Sequence, residues 1–417
     1  MGRGSNADVG NPCPGETKTM RQIARQSKTR WEEVTVDTLK RRRPRVLQVV
    51  TRADLGGAQV HIIELLRGLK NDFDMVLAAG EEGFCTAQAR ALGIECYVLP
   101  GLVQKIDPLS DLKALGSTVQ AIRKIRPDLV HCHTTKAGLI GRLAARLMRV
   151  PSVYTVHTWC FTEGTSRSWK AFGLPAETVA ACWSRRIIAV SDANRMTAIS
   201  KRVAPSSKLV TVHNGIADCP QRANPGGGDT PRLVMVARFV AQKNQALLIE
   251  AVASLASPII LTFVGDGPLC RQAEQLASSS PPHVKVEFLG QRQDVAAILA
   301  RSSLFVLSTN WEGFPISILE AMRAGLPVVA TDVDGVREAV SDGDNGLLVQ
   351  VRDKTGLTQA IQRLISDPAL RQRMGRRGRT IYEERFSLPP MLRKVTSVYA
   401  LALGHPAMPA SASPNAC

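Results

Sequence analysis

Residues Asn310 to Asp332 read NWEGFPISILEAMRAGLPVVATD, a loop, a helix and a strand in quick succession. Pro315 suits the first turn of a helix, where its missing N–H would be unpaired in any case. Ile316, Ile318, Leu319, Met322 and Ala324 supply an apolar stripe, Gly325 is a left-handed stop, and Leu326 to Thr331 has the pattern of a short buried strand. Glu312 then belongs to the entry loop and Glu320 to the second helical turn, so both carboxylates can face one crevice. A helix N-terminus attracts phosphate, and fixed carboxylates accept hydrogen bonds from hydroxyl-rich groups such as a ribose or a hexose. The combination points to a sugar nucleotide, although the spacing alone fits a turn residue and a solvated helix residue equally well.

Outward from this stretch the same alternation fills the chain. Upstream, RVLQVV from Arg45 is a strand, TRADLGGAQ a loop containing Gly56 and Gly57, and VHIIELLRGL an amphipathic helix. The strand-like runs DMVLAAG, ECYVLP, DLVHCH, PSVYTVH, RIIAVS and LVTVHNG follow, most of them separated by helical patterns such as Asp111 to Ile125 and Ala137 to Met148. Runs apolar on both faces argue for a parallel, doubly wound α/β sheet whose ligands sit at the carboxyl ends of the strands, where Gly56, Gly57, His133, His157, Ser191 and Asn214 lie. Residues 218–231, DCPQRANPGGGDTP, break the pattern as a linker. The alternation restarts with LVMVARF, PIILTFVGDG, KVEFLG, LFVLST, PVVATD and GLLVQ, a second Rossmann-like unit. The expected organisation is a basic, flexible arm over 1–43, one Rossmann-like domain over 44–217, the linker, a second over 232–387, a helix over 388–403 crossing back to the first, and a flexible tail over 404–417.

The 417 residues allow two or three domains of roughly 100 to 200 residues. A hydrophobic content of 44% and a charged content of 21% are those of a globular enzyme, and no run approaches the roughly 18 to 20 apolar residues that cross a bilayer. The N-terminus has no apolar core segment, so no secretory leader is expected. Nine scattered cysteines without a CxxC pair suit a reducing cytosol and offer neither a disulfide framework nor a zinc knuckle. The net charge of +17 calls for an anionic partner; with 5% aromatic residues and no nucleic-acid module, a membrane surface or phosphate ligands fit as well as nucleic acid.

Arg238 ends the strand LVMVA and Lys243 follows just before a helical run, a pairing of planar fork and point charge suited to a diphosphate; alone such a pair is more often an ordinary surface pair, and together with Glu312 and Glu320 it reads as a site. Gly265-Asp266-Gly267 is a strand-end turn, and Gly56-Gly57 lets backbone approach a phosphate without completing a GxGxxG or Walker pattern. His157 is a candidate contact at the site or a satisfied strand-end residue. His131 and His133 mimic metal ligands without a third and fourth at sensible spacing, so no metal is expected. Asp332 and Asp334 read as N-caps of VREAV.

Together these residues resemble family 4 of the glycosyltransferases, retaining enzymes of the GT-B fold. The resemblance rests on the E-x7-E pair Glu312 and Glu320, on Arg238 with Lys243, on the 265–267 turn, and on LGGAQVHIIEL, HTTKAGLIGRLAA, YTVH, AVSDANR and VHNGI upstream, covering roughly residues 45–400. It implies that Arg238 and Lys243 neutralise the leaving diphosphate, that Glu320 holds the ribose, that Glu312 with the backbone of Gly313 and Phe314 holds the donor sugar beside Gly265, and that His157 touches that sugar from the opposite domain. It implies a front-face displacement with no protein nucleophile, no cofactor, and a uridine diphosphate sugar as favoured donor. Thr158-Trp159 and Asp334-Gly335 depart from the family's usual residues. KIDPLSDLKAL and HTTKAGLIGRLAA are most similar to bacterial members that build exopolysaccharide, capsule or lipopolysaccharide on a lipid carrier, implying a lipid-linked saccharide acceptor near Gly56, Gly57 and His133, peripheral contact with anionic membrane at the cytoplasmic face, and no nucleic acid. A GT-B sugar-nucleotide epimerase and a non-catalytic sugar-nucleotide or polyanion binder are the alternatives.

Overall fold

Runs of Val, Ile and Leu without polar alternation must be covered on both faces, which parallel strands achieve through crossover helices. In the computed structural model, which describes residues 42–162, 164–165, 167–228 and 230–404, these runs form two parallel sheets. The first comprises β1 (Arg45–Val50), β2 (Asp74–Ala79), β3 (Glu95–Val98), β4 (Leu129–His133), β5 (Ser152–Val156), β6 (Arg186–Ala189) and β7 (Leu209–Thr211), ordered β3-β2-β1-β4-β5-β6-β7. The second comprises β8 (Arg232–Val236), β9 (Ile259–Val264), β10 (Val284–Phe288), β11 (Leu304–Leu307), β12 (Val328–Thr331) and β13 (Gly346–Val349), ordered β10-β9-β8-β11-β12-β13. Val46 stands opposite both Met75 and Leu129, and Val328 opposite both Phe305 and Gly346. In both sheets the winding reverses beside the first strand, between β1 and β4 and between β8 and β11, which opens a crevice at the carboxyl ends. Most of the expected basic arm, and the tail beyond Gly404, lie outside the described residues.

The period of two along β1 divides the first core. Leu47 and Val49 pack under the helices Pro108–Ile125 and Thr135–Leu147, whereas Val46 and Val50 pack under Gly57–Leu69 and the final helix Leu388–Ala402. That last described helix inserts Met391, Val395, Val398, Tyr399 and Ala402 among Ile62, Leu66 and Phe73, so the chain returns to the first domain after completing the second. Inside the first core, Arg142 and Glu177 form a fully buried pair at 2.6 Å, with the guanidinium 4.0 Å from the centre of the Tyr154 ring.

Candidate active site

The stretch 308–324 takes the form of a loop followed by the helix Ile316–Ala324, with Pro315 one position outside the first helical residue, as N-cap. Two loops at the ends of neighbouring strands are laced together there. Asn310 N donates to Gln242 O at 2.7 Å, Gln242 Nε2 to Trp311 O at 2.6 Å, and Ser308 Oγ to Asn244 O at 3.0 Å. The lacing brings Lys243 Nζ into contact with Glu312 Oε1, and the Glu312 side chain is only 7% exposed. Residues 69 positions apart thus share one ion pair because β8 and β11 are adjacent.

At Gly313 the backbones of the two domains come close together. A Cβ there would stand 1.7 Å from the His157 carbonyl oxygen, and one on Gly335 would stand 2.0 Å from Gly313 O, so three backbone segments meet where no side chain fits. Phe314 is buried, its carbonyl accepting from Asn214 Nδ2 at 2.9 Å and its ring 4.9 Å from that of His213.

Arg238 reaches the other way across the cleft, with Nη1 3.5 Å from Oδ2 of Asp54, which also pairs with Arg52 at 3.0 Å. Gly265, at φ 137°, backs this strand end: a Cβ on it would lie 2.1 Å from Ala237 O. Gly56 and Gly57 open the helix Gly57–Leu69 on the same side as Asp54, and a Cβ on Gly57 would meet nothing within 4 Å. His133, grouped with that loop from its place in the sequence, ends β4. It is wholly buried, with Nε2 2.8 Å from Gln48 Oε1 and Nδ1 3.4 Å from Nε2 of the half-buried His157. Burial first, then neighbouring imidazoles, pushes His157 well below the usual histidine range, leaving it neutral.

Glu320 projects from the second turn of its helix toward the first domain. Burial lifts its pKa to about 7; Arg323 opposes the rise and Glu64 of the first domain reinforces it. Asp332 and Asp334 do not cap by side chain: the helix Asp334–Arg337 has Val333 as N-cap, and Asp332 pairs with Arg337 at 2.8 Å instead. Ser191 does cap, accepting from Asn194 N at 3.1 Å. The same helix, Asp192–Ser200, is held from the second domain by Glu338, which accepts from the N–H groups of Asp192 at 2.8 Å and Ala193 at 2.9 Å and stands 2.6 Å from His213 Nε2. Asp192, His213 and Glu338 are close enough to hold a metal ion, but these bonds already account for Glu338. Gln242, His213 and Glu338 carry no local motif, since each meets its partner through tertiary structure, as Asp54 meets Arg238. A cavity of about 680 Å³ beside the Glu312 loop is lined by Gly164, Lys170, Asn310, Trp311, Val351 and Arg352.

Residues 221–381 match the family model described as Glycosyl transferases group 1, and residues 55–218 match Glycosyltransferase Family 4. The UDP-Gal:alpha-D-GlcNAc-diphosphoundecaprenol alpha-1,3-galactosyltransferase of Escherichia coli is 28% identical over 335 residues, 76% of this chain and 86% of that protein. The lipopolysaccharide core biosynthesis glycosyltransferase LpsE of Rhizobium meliloti is 27% identical over 335 residues, 80% of this chain and 88% of that protein. Among solved structures, that of Anabaena HepE in complex with UDP and glucose has a TM-score of 0.74 at 21% identity, covering 86% of this chain and 99% of that one, a likeness of fold. With the two family models following one another along two facing parallel sheets, the chain belongs to family 4 of the glycosyltransferases and is a GT-B enzyme that takes its sugar from a nucleotide-activated donor.

Proposed function

We propose that this enzyme is a retaining, metal-independent transferase that moves a sugar from a nucleoside-diphosphate donor, with uridine favoured, to a lipid-linked saccharide in surface polysaccharide assembly. The observation that carries the reading is the convergence at Gly313 of the Lys243–Glu312 pair from one domain and His157 from the other. Arg238 and Lys243 each hold a carboxylate, Asp54 and Glu312. A diphosphate exchanges for those carboxylates, and Glu312 is released to accept from the donor sugar's hydroxyls. The two cations stabilise the charge that develops on the leaving diphosphate, the part a divalent metal plays elsewhere. The departing phosphate oxygen takes the acceptor's proton from the same face, so the chain supplies positioning and electrostatics rather than a nucleophile. Gly313, Phe314 and Gly265 shape the sugar pocket, Glu320 meets the ribose, and Gly56-Gly57 faces the acceptor.

The acceptor assignment draws on the Escherichia coli relative, whose name specifies a diphosphoundecaprenol-linked sugar. It also draws on the surface around the start of the helix Pro108–Ile125, where Leu109 is 81% and Leu112 69% exposed with Val103 and Ile106 close in sequence and Lys105 and Lys113 beside them. Apolar residues among cations suit the anionic face of a membrane, at about 1 kcal/mol for each near-surface Lys or Arg. No described helix is long and apolar enough to cross a membrane.

The test is a panel of uridine, guanosine and adenosine diphosphate sugars with bacterial membrane extract as acceptor and EDTA throughout, following nucleoside diphosphate release and the anomeric configuration of the product. One donor is expected to turn over, with retained configuration, and Glu312→Gln or Arg238→Ala to abolish it. Inversion, or activity lost to EDTA and restored by a divalent metal, refutes the corresponding part.

A further inference from the structure

Strand periodicity places a continuous polar line under the carboxyl ends of the first sheet. Gln48 of β1, His131 and His133 of β4, and Thr155 and His157 at the end of β5 share one face, packed against Tyr399 of the final helix. Burial holds His131, His133 and His157 well below the usual histidine range, so each ring carries one N–H and one lone pair.

The direction of every bond follows from the Gln48 amide. Its Nε2 donates to the Tyr399 hydroxyl at 2.8 Å, and that hydroxyl donates to His131 Nδ1 at 2.7 Å, so His131 Nε2–H donates to Thr155 Oγ1 at 2.7 Å. The amide oxygen can only accept, and it takes the Nε2–H of His133 at 2.8 Å. His133 Nδ1 is then a lone pair, facing His157 Nε2 at 3.4 Å. With the Gln48 amide in this orientation, His157 carries its proton on Nε2 and its lone pair on Nδ1. Turning the amide over reverses every one of these bonds.

We propose that Gln48 is a positioning residue which, through His133, fixes the tautomer of His157 so that it presents a hydrogen-bond acceptor to the donor sugar. The consequence for the sugar rests on the transferase reading above; the tautomer does not. A sugar hydroxyl facing His157 therefore donates, and a donor with fluorine at that carbon leaves the imidazole lone pair unmatched.

The test is a two-bond proton–nitrogen correlation spectrum of the full chain labelled with nitrogen-15 histidine. The chain has seven histidines, and His157→Gln identifies the relevant signals. The wild type is expected to show the Nε2–H form at His157, and Gln48→Met to give averaged nitrogen shifts there. Tyr399→Phe removes the acceptor of the Gln48 amide N–H without touching His133 or His157; it is expected to produce the same averaging and serves if Gln48→Met does not fold. An Nδ1–H form at His157 in the wild type, or an unchanged His157 in folded Tyr399→Phe, overturns the proposal. The spectrum needs no turnover, so an inactive donor panel leaves it standing. With a donor that turns over, Gln48→Met lowers kcat/KM about tenfold, mostly through KM for the donor.

Discussion

Gly313→Ala is the smallest change that forces the two halves of the site apart. The added methyl would lie 1.7 Å from the His157 carbonyl oxygen and 2.9 Å from its carbon, whereas real Cβ contacts essentially never fall under 3.0 Å. The obstacle is backbone, so no side-chain rotation relieves it, and the loop and His157 must separate by about 1.3 Å. Retreat is limited, because Gly335 already packs against Gly313 O from the other side. Displacement of reacting groups by about 1 Å costs on the order of 10²-fold, so kcat/KM is expected to fall at least about 100-fold. Gly313 belongs to none of the three apolar clusters, and the unfolding midpoint is expected to move by less than about 3 °C. Nucleoside diphosphate release and a thermal melt on the same preparation measure both. Activity within about threefold of wild type refutes the claim that this close approach sets the site. A collapse of the melt instead makes Gly313 a folding position.

Three further outcomes are expected. Glu320 has a folded pKa near 7 against an ordinary 4.5, so the folded state keeps a proton that the unfolded state releases; its contribution to stability falls as pH rises through that window, and Glu320→Gln removes this slope from urea midpoints taken between pH 5 and pH 8. Glu177→Gln leaves the guanidinium of Arg142 buried without its countercharge and costs about 3–5 kcal/mol in urea unfolding, while Arg142→Met with Glu177→Leu together recovers most of it. Glu338→Ala removes the acceptor that ties the second domain to the N–H groups of Asp192 and Ala193; the radius of gyration by X-ray scattering is expected to rise and the donor KM to increase, with circular dichroism unchanged.

The central strands were legible because they are buried on both faces, which leaves little polar alternation to confuse them: RVLQVV forms β1 and PVVATD contains β12. The helix Pro368–Ile381 is harder to read, since five arginines, one of them the buried Arg371, crowd its sequence and mask the stripe of Leu370, Met374 and Ile381. Within the site, the strand-end positions of Lys243 and Glu312 could be read, but their pairing is a product of strand order. His133 shows the opposite difficulty. A strand-end histidine looks the same in sequence whether it opens into a cleft or lies beneath it, and the partner that His133 meets in the buried layer, Gln48, stands 85 positions away. Glu338 is silent for the same reason: two of its partners are backbone N–H groups, which no residue type announces, and the third is His213, 125 positions away.

The final helix also sets an order of assembly. A chain emerging from the ribosome presents β1 to β7 long before Leu388–Ala402 exists, and until then Val46, Leu66 and Phe73 lack the part of their cover that this helix supplies and the Gln48 amide has no Tyr399. The first domain is thus completed last, by residues made after the whole of the second. A chain ending before Leu388 would expose an apolar strip along one face and leave Gln48 and His131 without their shared hydroxyl, and such a fragment is expected to aggregate rather than fold as a half-enzyme.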